Sequence, residues 1–277
     1  MKNQLISDRL NINAGIMSWY VKELRKLTQA MTKACYKELA GIYKKLGYQA
    51  EFAEDASLSS QIRIALSALY DKYYSKFSER SKRLIKKLLK DTNRYSNSQI
   101  NNALKQMLGD KAKDFLLKGS AISPEKSEIM KALLFENVSL IKSIPDEYFK
   151  QITGAVARSI ENGIGIKGLQ RELLPMLEKY GEKAERRAEL IAQDQTRKAY
   201  NSINLRNFQE NGIKKFRWLH SGGSRDPRPY HRDVLNGQIF DIDTGAPNES
   251  GKEPDYIYPG QEPYCRCVMQ AVLDFED

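Results

Sequence analysis

The sequence predicts a mainly α-helical N-terminal region joined to a small α+β C-terminal module. Three observations carry that reading. Apolar residues recur at three- and four-residue steps over long stretches before residue 212, as one face of a helix requires. After Gly212 that period stops, and six of the nine prolines and six of the seventeen glycines fall between residues 222 and 263. Beyond the same point, short alternating runs read as strands. A chain of 277 residues suits one large or two modest domains. The texture divides it into a basic helical region at 1–120, a helical region at 121–212 that leads into the module, and the module itself at 213–277.

The elements follow in order. Residues 16–46 place Tyr20, Leu24, Leu27, Met31, Cys35, Leu39 and Ile42 on one helical face, with Gly47 as the stop. A second helix is predicted over 57–91, from Ile62, Leu66, Leu69 and Phe77 to Leu84, Ile85, Leu88 and Leu89. The polar run Thr92 to Ser98 predicts a break, followed by a shorter helix to about 108. Ser123-Pro124 reads as a helix start, with proline in the first turn. Ser143-Ile144-Pro145-Asp146 predicts a second break, and the glycines near 163–168 a turn. Helices are expected at 167–179 and 182–211, the last closed by Asn211-Gly212. Residues 215–219, 238–240 and 268–273 are the strand candidates. About 65 residues is marginal for independent folding, so the module is expected to pack on the helix before it.

Charge is uneven. The total is +10, but residues 1–212 hold 37 Lys+Arg against 24 Asp+Glu, and residues 213–277 hold 8 against 11. A basic surface favours polyanions, nucleic acid above all. Lys82, Arg83, Lys86, Lys87 and Lys90 lie largely opposite the Leu/Ile stripe of the second helix. Such a face serves DNA, an acidic partner or solvent alike. Tyr20, Tyr70, Tyr73 and Tyr74 can stack on bases, but their helical spacing places them in a core or interface. No apolar run is long enough to span a bilayer, and the N-terminal residues predict no signal peptide. Three cysteines make no disulfide framework, so a reducing cytoplasm is the default.

Both histidines, His220 and His231, fall in the module with Cys265 and Cys267. These four can supply a tetrahedral zinc ion, and zinc is the one cofactor the sequence suggests. A Cys-x-Cys pair on a strand points both thiols to one face, although common structural zinc sites use longer spacers. The competing reading is two packed thiols beside a turn. A Cys/His pair also suits a hydrolase, with Asp226 or Asp233 as the group that orients the base. No Walker A loop, Gly-x-Gly-x-x-Gly or His-Glu-x-x-His is present. Arg225, Arg228 and Arg232 crowd one loop with Asp226 and Asp233, a pattern of charge-assisted cross-links. Asn236-Gly237 reads as a tight turn before a strand.

Taken in order, Trp218, Arg225-Asp226, Arg228, His231-Arg232, Leu235-Asn236-Gly237, Pro259-Gly260 and Cys265-Arg266-Cys267 form an ordered set. This set resembles the phage Mu F-like module of minor head (head morphogenesis) proteins. The stretch Ala188-Glu189-Leu190-Ile191-Ala192, Asp194, Thr196-Arg197 and Ala199-Tyr200-Asn201 resembles the helix upstream of that module. Residues 138–145 resemble the region before it, so the likeness covers about 125–275 and is firmest at 186–270. The resemblance implies a structural, non-enzymatic virion component of a tailed phage or prophage. It implies a place in the head interior at the portal vertex, with the portal and major capsid proteins as partners, no membrane, and double-stranded DNA as a further contact. In relatives a His-Pro-Asn or similar tract precedes the cysteines; here Gln261-Glu262-Pro263-Tyr264 stands there. The rival expectations are a Cys/His hydrolase and a DNA-binding protein outside the virion.

Overall fold

Residues 3–47, 55–114, 122–161, 165–222 and 227–275 are described by the computed structural model. The N-terminal part is helical: α1 spans Ala14–Gly47, α2 Asp55–Leu108, α3 Pro124–Glu161 and α4 Gly165–Glu210. The strands are β1 (Asn3–Ile6), β2 (Lys215–Leu219), β3 (Ile239–Asp241), β4 (Ala246–Pro247), β5 (Tyr256–Ile257) and β6 (Val268–Phe275). The predicted class, helices followed by a small strand-containing module, is the one observed.

Local caps explain where the helices begin and end. Asn13 Oδ1 accepts the Ile16 N–H at 3.0 Å, and Ser123 Oγ accepts the Lys126 N–H at 3.1 Å ahead of Pro124. At the end of α4 the Gly212 N–H donates to the Gln209 carbonyl and the Ile213 N–H to the Phe208 carbonyl, both at 3.0 Å. Gly212 takes φ +69°, and Ile213 and Phe208 are both buried. That is a Schellman ending, as Asn211-Gly212 predicts.

Three expected interruptions are absent. Helix α2 runs straight through Thr92–Ser98, because Ser96 and Asn97 are buried and bonded rather than capping. Asn207 Nδ2 on α4 donates to Ser96 Oγ at 2.6 Å and to Asn97 Oδ1 at 2.9 Å, while Ser96 donates to Asn204. Helix α3 continues through Pro145. Burial of Ile144, Tyr148 and Phe149 holds it there, and Ser143 Oγ bonds back to the Leu140 carbonyl at 2.6 Å. Helix α4 continues through residues 180–182, where Gly181 faces Thr32. A methyl at Gly181 would stand 3.3 Å from the Thr32 side chain, so glycine serves close helix packing there.

Two compact units interleave along the chain. Residues 19–85 and 135–192 form an all-helical unit. Its core includes Tyr20, Met31, Leu39, Phe77, Ile141, Ile152 and Leu177. The tyrosines there are structural: Tyr20 donates to Asn137 at 3.1 Å and Tyr73 to the Ala30 carbonyl at 2.8 Å, while Tyr70 donates to Asp146 at 2.8 Å. Cys35 is fully buried, and burial pushes its thiol up to about 11.

The other unit comprises residues 1–18, 86–134 and 193–277. It holds an antiparallel sheet of order β1-β6-β2-β3 and the small β4-β5 ribbon. Strand β1 is unforeseen by the sequence pattern. It pairs Asn3 with Phe275 and Ile6 with Val272, and Ser7 extends the edge by two bonds to Ala271. Phe216 and Trp218 point from β2 into a core shared with Ile100, Leu104, Tyr200, Phe208, Met269 and Ala271. The module therefore packs on helix, as its size demands.

Candidate functional site

The site is assembled around Trp218, which is fully buried on β2. The His231 ring meets the indole edge-on, with centroids 5.0 Å apart at 70°. His231 sits on a single π-helical turn, Tyr230–Leu235, and Leu235 anchors that turn in the core. Asn236 and Gly237 then turn the chain into β3. Asn236 is extended and Gly237 takes φ +83°, while the Gln238 N–H returns to the Leu235 carbonyl at 3.1 Å. This is a type II turn, for which glycine at the third position is suited. Asn236 also accepts the His220 N–H at 2.9 Å.

Opposite His231, the chain enters β6 through Cys265 and Cys267. Both thiols are buried and face one imidazole nitrogen. His231 Nδ1 lies 3.6 Å from Cys265 Sγ and 3.9 Å from Cys267 Sγ. The three donor atoms lie within 4.8 Å of one another. The other ring nitrogen, Nε2, stands 2.9 Å from Glu262 Oε2. Arg228 Nε approaches the same oxygen at 3.2 Å, and its terminal nitrogen donates to the Pro263 carbonyl at 2.9 Å.

The two thiols differ electrostatically. Hydrogen bonding from Cys267 pulls the Cys265 thiol well below its ordinary range against burial, helped by His231 and the Gly260 N–H. The Cys267 thiol is driven up by its hydrogen bond to Cys265 and by burial.

The loop before the cysteines is held from α4. Residues Glu262–Cys265 form a turn closed by the Cys265 N–H on the Glu262 carbonyl at 3.0 Å. Tyr264 occupies its third position at φ +60°, where a non-glycine residue is strained. Asp194 Oδ1 accepts the Tyr264 N–H at 2.5 Å. About two helical turns further on, Asn201 donates to the Cys267 carbonyl at 3.3 Å. Gly260, at φ +78°, lies against Asn201, and its N–H points at Cys265 Sγ at 3.4 Å.

The remaining predicted residues separate clearly. His220 is half-buried and stands outside the three-atom cluster. Its Nδ1 accepts the Gly222 N–H at 3.2 Å, and it lines a pocket of about 300 Å³ with Arg228, His231, Tyr264, Arg266 and the cysteines. Arg232 and Asp233 are exposed and paired with each other at 2.7 and 2.8 Å. The carboxylate at His231 is Glu262; of the two aspartates the hydrolase expectation named, Asp233 is paired with Arg232 instead, and Asp226 lies outside the described residues. Glu262 was missed because no local pattern marks it beyond its place three residues before Cys265. Pro259 is buried beside Gly260. Arg225 and Asp226 lie outside the described residues. On α2, Lys82, Arg83, Lys86, Lys87 and Lys90 are exposed, while Leu84, Ile85, Leu88 and Leu89 are buried. Lys87 is engaged by Asp91 at 2.5 Å. Among the described residues, no helix is long and apolar enough to cross a membrane.

Comparison with known proteins agrees with the motif order. An uncharacterized protein of Haemophilus influenzae is 27% identical over 258 residues, which cover 92% of this chain and 53% of that protein. The chain therefore spans about half the length of that relative. No solved structure matches. Residues 150–270 match the family described as Phage Mu protein F like protein, and they contain Asp194, Asn201, His231, Glu262 and both site cysteines. Through that segment, the chain is similar to the phage Mu F-like family.

Proposed function

We propose that the protein is a structural minor head protein of a tailed phage or prophage, acting in head morphogenesis. One observation carries the reading: the family match over residues 150–270 coincides with the segment whose motif residues converge on the His231 site. The finer assignment places the protein in the head interior at the portal vertex, against the portal and major capsid proteins. The exposed basic residues of α2 support an added contact with packaged DNA, since Lys and Arg on a helix face neutralise phosphates without reading sequence.

Quantitative mass spectrometry of purified particles from the source phage or prophage, with the portal protein as internal standard, tests this. The expected result is a small fixed number of copies per portal ring. Absence from both procapsids and mature heads would overturn the assignment.

A second reading has one observation in its favour. Cys265, His231 and Glu262 stand in the order of nucleophile, base and orienting carboxylate. Against it, two thiols share the same nitrogen, and acyl transfer has no task for the second. Iodoacetamide separates the readings in the folded protein. Rapid alkylation of Cys265 alone favours a nucleophile, and protection of both thiols favours a structural site.

A further inference from the structure

We propose that Cys265 Sγ, Cys267 Sγ and His231 Nδ1 bind one zinc ion, with Glu262 fixing the imidazole and the fourth coordination position facing the adjoining pocket. The argument starts from edge lengths. With Zn–S of about 2.3 Å and Zn–N of about 2.05 Å, a tetrahedral angle separates sulfur from nitrogen by about 3.5 Å. The two observed separations are 3.6 and 3.9 Å, so two edges of one face of such a tetrahedron are already near length, and all three donor atoms lie within 4.8 Å of one another.

The donor chemistry is consistent. Two thiols and one imidazole form a borderline-soft set, which selects zinc over the hard cations. A zinc ligand must be a thiolate or a neutral imidazole nitrogen. Here the Gly260 N–H already points at Cys265 Sγ at 3.4 Å, which suits a sulfur carrying negative charge. Histidine that binds metal through one nitrogen ordinarily donates from the other to a carboxylate. In His231 the other nitrogen, Nε2, stands 2.9 Å from Glu262 Oε2, which puts a carboxylate in that place. Arg228 in turn braces that carboxylate at 3.2 Å. The arrangement leaves Nδ1, not Nε2, for the metal.

The fourth position is solvent-supplied. His220 lines the same pocket of about 300 Å³, yet it stands outside the group of converging donors. Its Nδ1 is occupied by the Gly222 N–H. Zinc at this point would tie the π-helical turn, the Glu262–Cys265 turn and the start of β6 into one knot.

The test uses the full chain, purified under reducing conditions without chelator. Elemental analysis is expected to find one zinc per chain, and cobalt substitution to give thiolate-to-metal charge transfer with intense tetrahedral d–d bands. Cys265→Ser, Cys267→Ser and His231→Ala are expected to lose the metal, and His220→Ala to retain it. Glu262→Gln is expected to keep the stoichiometry and weaken affinity by about 10- to 100-fold. Because the ligand variants risk misfolding, the wild-type chain is also stripped with chelator, checked by circular dichroism, and titrated with zinc against a chromophoric competitor. A folded chain that takes up no zinc in that titration would overturn the proposal. So would metal content unchanged by the three ligand substitutions, and loss of metal on His220→Ala would overturn the ligand set.

Discussion

The Asp194 carboxylate accepts the backbone N–H of Tyr264 at 2.5 Å, and Tyr264 is the one non-glycine residue among those described with a positive φ. A residue seventy positions upstream thus holds the strained turn that delivers Cys265. Asp194→Ala removes a hydrogen bond to a charged acceptor and is expected to destabilise the sheet-containing unit by about 1.5–3 kcal/mol. Tyr264→Gly relieves a left-handed conformation that costs about 1–2 kcal/mol, so the double variant is expected to recover part of the loss. Urea denaturation of the four proteins measures it. Strict additivity of the two substitutions would show that the bond and the strain are not coupled.

Gly260 is the tightest glycine of the module. At φ +78° an L side chain is strained, and its Cβ would stand 2.3 Å from Asn201 Nδ2. Asn201 cannot retreat without losing the Cys267 carbonyl. Gly260→Ala is expected to cost about 2–4 kcal/mol, from the conformational penalty and the displaced hydrogen bond together. Pairing it with Asn201→Ala makes room for the methyl, so the second substitution should cost less in the Gly260→Ala background than in wild type. Thermal melts of the three variants check this, and an unperturbed midpoint for Gly260→Ala would refute the packing argument.

Much of this fold was written in local pattern, and the exceptions have physical causes. The helices were legible because their apolar faces repeat at 3.6 residues, and the end of α4 because Asn211-Gly212 suits a left-handed cap. The expected breaks at Thr92–Ser98 and Pro145 failed because tertiary burial overrode weak helix formers. Strand β1 left no trace because four residues at a sheet edge are defined only by their partner, β6. The site was legible in part: His220, His231, Cys265 and Cys267 are grouped from the sequence, and the structure brings together the donor atoms of the last three while His220 stands apart. The place of Glu262 was not legible, since only the folded turn presents its carboxylate to Nε2.

The polar run inside α2 makes its own prediction. Asn207 satisfies Ser96 and Asn97 together, at 2.6 and 2.9 Å, and all three residues are buried. Asn207→Leu is close in volume but leaves the Asn97 oxygen without its donor and removes one bond from Ser96. The expected loss is about 2–4 kcal/mol, because each buried polar group left unsatisfied costs about 1–3 kcal/mol. Asn207→Asp retains the volume yet turns two donors into acceptors, so it should be no better at neutral pH. Chemical denaturation of both variants decides, and a wild-type midpoint for Asn207→Leu would mean the network contributes nothing net.

Lys126 and Glu210 give the unit a defined response to acid. Lys126 Nζ is almost wholly buried and lies 2.7 Å from Glu210 Oε2, while Arg206 Nε reaches the other oxygen at 3.2 Å and Ser123 donates to it. Burial pushes the Glu210 carboxyl up, but Lys126, Ser123 and Arg206 together bring it below the ordinary range. A carboxyl held lower in the folded state than in the unfolded state stabilises above its unfolded value, about 4.3, and that contribution fades as pH falls through the folded value. Glu210 keeps some solvent contact, which screens the pair, so Glu210→Gln is expected to cost only about 1–2 kcal/mol at pH 7. The gap between wild type and variant should then shrink as the pH is lowered from 5 through the folded value, below which the wild-type carboxylate is itself protonated. Denaturation midpoints measured across that range test the sign directly. A gap that stays constant, or widens in acid, would show that the ion pair is not what Glu210 contributes.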